Sequence, residues 1–186
     1  MLDTRDQAPA SVPTGPTGRV CEFVASIELE DVPHEVRTKA KHFILDGIAC
    51  ALVGAQLPWS RTATKAVLEM EGSGACTVIG WNIRLNPTSA AMLNGTFIQG
   101  FELDDVHAEA PWHANSVILP ALFAAAEHAS RGMQGPKKFD GASFLLSTIV
   151  GFEVGSRVGM ALYGSEILAR GWHSVSRSCP RHRECC

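Results

Sequence analysis

The chain has 186 residues, of which 46% are hydrophobic and 19% charged, with a formal net charge of −3. Those proportions suit a folded protein with a sizeable core and exclude a disordered one. The 16 basic side chains form no stripe, so no nucleic-acid partner is expected, and no uninterrupted apolar run has the length of a membrane span.

Residues 1–18 are rich in Pro, Thr and Gly, with Asp3 and Asp6 among them. They lack both the apolar core of a signal peptide and the Arg-rich character of a transit peptide. They are expected to be a disordered leader on a cytoplasmic protein. Residues 19–29 have the pattern of a first amphipathic helix. Asp31, Val32 and Pro33 form a helix start, a capping residue followed by proline. Beyond it Val36, Ala40, Phe43, Ile44, Gly47, Ile48 and Ala51 recur at three and four residues, which marks one buried helix face that Gly54 should end. Ser60 is expected to cap a third helix running to Met70.

Glu71, Gly72, Ser73 and Gly74 read as a turn. Residues 76–80 have strand composition, and residues 83–85 are placed to pair with them in a short hairpin. Pro87 opens a helix whose small residues permit close contact, and that helix leads into residues 102–113, Glu-Leu-Asp-Asp-Val-His-Ala-Glu-Ala-Pro-Trp-His. Residues 113–130 are apolar and Ala-rich, with Pro120 expected to kink or break the helix. A polar loop over 131–140 precedes a long apolar helix over 143–163. Its Gly151, Gly155 and Gly159 imply tight packing on a neighbouring helix, and Glu153 and Arg157 argue against a membrane dimer motif.

Cys21, Cys50 and Cys76 lie in apolar stretches and are expected to be reduced core residues, whereas Cys179, Cys185 and Cys186 crowd the C-terminal end. Without a secretory signal no disulfide framework is expected.

The segment 102–113 is the densest in ionisable groups: Glu102, Asp104, Asp105, Glu109, His107 and His113. Three chemistries fit such a cluster. A metal site has the ligand types but none of the familiar spacings, neither His-Glu-x-x-His nor an alternating calcium loop. A magnesium–diphosphate site needs a second acidic motif, which is not visible. Metal-free acid–base chemistry fits best. His113 sits at the N-terminal end of an apolar helix, where the dipole disfavours the imidazolium while a nearby carboxylate favours it. Opposed influences of that kind suit a general acid or base. His173, after Gly171 and Trp172, is the other candidate histidine.

At four segments the chain resembles the MmgE/PrpD family, and within it the fungal type of cis-aconitate decarboxylase. They are Phe43-Ile44-Leu45-Asp46-Gly47-Ile48-Ala49-Cys50, Glu102-Leu103-Asp104-Asp105, residues 113–120, and Gly171-Trp172-His173. The resemblance implies a mainly α fold, the N-terminal helical domain of that family with a short β-hairpin, followed in family members by an α+β lid and assembled as a homodimer. It implies cofactor-free chemistry on a small tricarboxylate: decarboxylation of cis-aconitate to itaconate, or dehydration of a 2-methylcitrate or alkylcitrate, including versions in fungal secondary metabolism. Carried over by motif, the catalytic residues are Asp104, Asp105, His113 and His173. Glu102 and His107 are the expected substrate-binding groups, with no metal. The helical domain is expected over residues 19–173. The tail 174–186 does not follow the family, and the lid and the substrate-binding lysines are expected to be absent. The tail is expected to be out-of-frame or misspliced translation, and a zinc knuckle from Cys179, His182, Cys185 and Cys186 is the alternative. Two readings of the chain follow: a shortened decarboxylase-type enzyme, or a non-catalytic remnant that pairs with a full-length homologue.

Overall fold

A computed structural model describes residues 14–110, 112–132 and 140–162, with side chains 131 and 132 excepted. Among these residues are six α-helices and one two-stranded hairpin: α1 Pro16–Ser26, α2 His34–Gly54, α3 Pro58–Met70, β1 Cys76–Thr77, β2 Arg84–Leu85, α4 Pro87–Gln99, α5 Ala114–Gly132 and α6 Gly141–Leu162. The strands pair antiparallel in the register Cys76 with Leu85 and Thr77 with Arg84.

Several expected boundaries move, each for a local reason. α1 starts at Pro16, where a proline in the first turn loses no helical hydrogen bond. Asp31 does not cap α2. It closes a separate 3₁₀ turn at Leu29–Asp31, accepting the Glu28 N–H at 3.0 Å, and Pro33 takes the cap of α2. Ser60 is not the cap of α3 either. Leu57 and Pro58 start that helix, and Ser60 is buried in its first turn, its carbonyl accepting from Thr64 Oγ1 at 2.8 Å. α4 starts at Pro87 as the sequence indicates, with the Asn86 side chain accepting the Ser89 N–H at 2.9 Å. Cys50 and Cys76 are buried, but Cys21 is exposed on α1.

α4 is the centre of the core. Phe97, Leu93 and Ile98 on it are fully buried against Leu85, Leu119 and Val78. Each such side chain contributes about 1.5–3 kcal/mol by leaving water. α2 approaches α4 so closely that a Cβ at Gly54 would lie 1.8 Å from the Phe97 carbonyl oxygen. The buried Asn94 side chain holds the hairpin, accepting the Ile79 N–H at 2.8 Å and donating to the Thr77 carbonyl at 2.9 Å.

Pro120 does not break α5, which runs through it. Proline cannot donate to the carbonyl four residues back, here that of Ser116. That carbonyl instead lies against α4, where a Cβ on Gly95 would be 2.6 Å from it. The small residue and the proline thus share one crossing.

The glycine stripe of α6 is used for packing, though only partly on a helix. Gly151 meets Ile118 of α5, while Gly155 and Gly159 receive Trp112 and Ala110 from the connection between α4 and α5. By length and a mean hydropathy of 1.3, α6 is nevertheless long and apolar enough to cross a membrane, which the sequence reading did not anticipate. It carries an exposed Glu153–Arg157 pair and leaves Val158, Met160 and Leu162 exposed.

Candidate active site

The site grows from the connection between α4 and α5. After Gln99 the chain folds back, with the Glu102 N–H donating to the Gln99 carbonyl at 3.1 Å. To make that reversal Glu102 takes φ +58°, the one left-handed non-glycine among the described residues. The connection closes on itself further on. The His107 N–H donates to the Trp112 carbonyl at 3.1 Å, and His107 Nδ1 accepts the Ala110 N–H at 3.1 Å. Trp112 is seated on α6, its indole N–H donating to Ser156 Oγ at 3.3 Å. That anchor delivers His113 to the position just before the first turn of α5.

His113 is 7% exposed and lies between two carboxylates. Its Nδ1 is 3.1 Å from Asp104 Oδ1, and its Nε2 is 3.6 Å from Glu102 Oε2. The two carboxylates differ in environment: the Asp104 side chain is fully buried, and that of Glu102 is 57% exposed. Burial pushes the Asp104 carboxyl up, its interaction with His113 opposes that, and Asp105 adds a smaller push in the same direction as burial.

Asp105 faces the start of α5, where its Oδ1 accepts the Asn115 N–H at 2.9 Å. It acts as a remote cap for two otherwise unpaired helix donors, those of Asn115 and Ala114. Burial raises the Asp105 carboxyl, and those two N–H groups oppose the rise. Asn115 in turn donates from Nδ2 to the Phe43 carbonyl on α2 at 3.0 Å. The absence of a side chain at Gly47 leaves room for it, because a Cβ there would lie 2.5 Å from Leu119 and 3.1 Å from Asn115. Behind this contact stand Asp46 and Cys50 of α2. Burial pushes the Cys50 thiol up, and Asp46, Asp104 and Asp105 push it further.

The structure therefore brings together His113, Asp104, Asp105 and Glu102. His107 uses Nδ1 within its own turn, and Glu109 is exposed. His173 lies outside the described residues. Among the described residues no three His, Cys, Asp or Glu side chains are grouped to hold a metal ion. Asn115 and Asp46 were not singled out as site residues by sequence. The signal for Asp46 was its place in the Leu45-Asp46-Gly47 run, and its side chain is exposed on α2. Asn115 has no local signal, since its partner is 72 residues away.

A family model, the MmgE/PrpD N-terminal domain, matches residues 18–179, a span that takes in His173. The chain is 52% identical over 158 residues to a cis-aconitate decarboxylase-like protein of Aspergillus oryzae, covering 85% of this chain and 33% of that one. It is 46% identical over 170 residues to the cis-aconitate decarboxylase of Aspergillus terreus, covering 91% of this chain and 34% of the other. The human cis-aconitate decarboxylase is 30% identical over 136 residues, 73% of this chain and 27% of that protein. The chain thus spans about one third of the length of its fungal relatives.

Proposed function

The chain belongs to the MmgE/PrpD family, and on that premise we propose that it serves the cofactor-free decarboxylation of cis-aconitate, or of an alkylated aconitate, to an itaconate-type product. The observation that carries this reading is the buried His113 with a carboxylate facing each ring nitrogen. In cis-aconitate the departing carboxylate sits on a CH2 next to the alkene. Breaking that C–C bond releases CO2 and sends its electron pair into a new C=C bond at the CH2. The pair of the old alkene then takes a proton at its far carbon. Each turnover consumes one proton, and the residue that delivers it is a general acid.

His113 in its imidazolium form is that acid, donating from Nε2. Asp104 on Nδ1 orients the ring and stabilises its positive charge in a site that excludes water. Asp105 fixes the start of α5 and with it the position of His113. His173 is the second proton-handling or carboxylate-positioning group, on the strength of its Gly-Trp-His motif. His107 stands at the edge of the substrate site. The exposed apolar face of α6 supports assembly with another subunit, in keeping with a homodimer.

The test is to incubate the purified chain with cis-aconitate in D2O and to follow itaconate and CO2. Itaconate carrying one deuterium per molecule at its saturated CH2, abolished by His113→Ala, is the expected result. Absence of itaconate from the wild-type chain sinks the reading, as does a His113→Ala variant that keeps most of the activity.

A further inference from the structure

Resting on the decarboxylase reading, a buried acid that loses a proton at every turnover must be recharged from solvent. His113 is 7% exposed, so the ring has little access to water of its own. Asp104 on Nδ1 is fully buried and no better connected. Glu102 is different: its carboxylate lies 3.6 Å from His113 Nε2 and its side chain is 57% exposed. It also holds a left-handed backbone, which is unfavourable for a residue with a Cβ. Strain of that kind persists where the surroundings or the function require the side chain to be there. A substrate-binding role explains it poorly, because a carboxylate meets a substrate carboxylate at hydrogen-bond distance only with a proton between them. We propose that Glu102 is the proton relay of the site, carrying a proton from solvent to His113 Nε2 after each decarboxylation.

The balance is simple. After turnover His113 is a neutral imidazole with a lone pair on Nε2. Protonated Glu102 turns inward, its O–H bond breaks, and the proton bonds to Nε2. The Glu102 carboxylate then turns out and takes a proton from hydronium or a buffer acid. One solvent proton replaces the one built into the product. Among the described residues, the other charged groups of the site and of α6 are held elsewhere. Asp104 is on Nδ1, Asp105 is on the α5 N–H groups, Asp46 lies behind Asp105 on α2, and Glu153 and Arg157 of α6 pair with each other. None of them stands at Nε2 with access to solvent.

The experiment uses the full chain, labelled with ¹⁵N in histidine. Proton exchange at the His113 ring is measured by NMR in wild type, Glu102→Gln, Glu102→Asp and Glu102→Gly. The Gly variant guards against misfolding, because glycine accepts φ +58° without strain. Exchange at least about tenfold slower in the Gln and Gly variants, and largely restored in Asp, is expected. In the cis-aconitate assay, Glu102→Gln should keep a first-turnover burst and lose steady-state kcat with little change in KM. Added imidazole should restore that kcat in proportion to its concentration, an effect that a merely structural residue would not show. Unchanged ring exchange in both Gln and Gly variants overturns the relay. A wild-type chain that makes no itaconate counts against the decarboxylase reading alone, and the exchange rates then decide the relay.

Discussion

Asp104 Oδ1 and His113 Nδ1 stand 3.1 Å apart, and the aspartate side chain is wholly shielded from solvent. A carboxylate in that position is costly unless the ring shares its charge, and burial outweighs the ring in setting the Asp104 proton affinity.

This gives a signed pH dependence. The folded Asp104 carboxyl lies above its ordinary value of 3.8, so between that value and the raised one the folded chain binds more protons than the unfolded chain. Stability contributed by the group is therefore full below 3.8 and falls as pH rises through the folded value. Asp104→Asn should flatten this part of the curve in urea titrations across the acid range. An unaltered slope would contradict the assignment.

The same substitution should cost activity while sparing the fold. An amide can still accept from Nδ1 but does not stabilise the imidazolium. Itaconate formation should fall by at least about tenfold, within the range that a positioned acid contributes. Circular dichroism should remain that of wild type.

Gly54→Ala tests the crossing of α2 and α4. Its Cβ would lie 1.8 Å from the Phe97 carbonyl oxygen, and backbone cannot move aside cheaply. A loss of about 1–3 kcal/mol or more is expected in chemical denaturation. Gly72, with nothing within 4 Å of its Cβ position, is the control. Gly72→Ala should stay within about 0.5 kcal/mol of wild type.

Gly155→Ala should act on the site from a distance. The new methyl would be 2.1 Å from the Trp112 ring, whose seat on α6 sets the position of His113 one residue later. A shift in tryptophan fluorescence together with reduced turnover is expected. A fluorescence change without a change in turnover would show that the seat does not position the histidine.

Val158, Met160 and Leu162 leave an apolar strip on the last turns of α6. Sedimentation velocity of the chain should show concentration-dependent association, and Val158→Asp should weaken it. A strictly monomeric wild type at all concentrations would refute this expectation.

The helices were legible because each carries its own signal in the form of apolar period, proline start or glycine end. Pro87 and the 76–85 hairpin were readable on that basis. The misreadings share a cause. Asp31 and Ser60 are good caps in isolation, but a 3₁₀ turn and Pro58 occupied the positions first. Pro120 predicts a kink or a break; α5 is not broken there, and the Ser116 carbonyl that the proline leaves without its helical donor lies against Gly95 of α4. At the site, the dense segment pointed to some carboxylate near His113, and the structure identifies Asp104 on Nδ1. The link of Asn115 to Phe43, and the placing of Asp46 and Cys50 behind it, depend on where α2 packs, and no local pattern encodes that.

Glu102, Asp104 and His113 lie on one continuous stretch of chain, held between the end of α4 and the start of α5. Three of the side chains to which proton handling is assigned under the proposal therefore come from one short run of contiguous sequence. Their alignment is nonetheless set from outside that stretch, by the seat of Trp112 on α6 and the bond from Asn115 to the Phe43 carbonyl on α2.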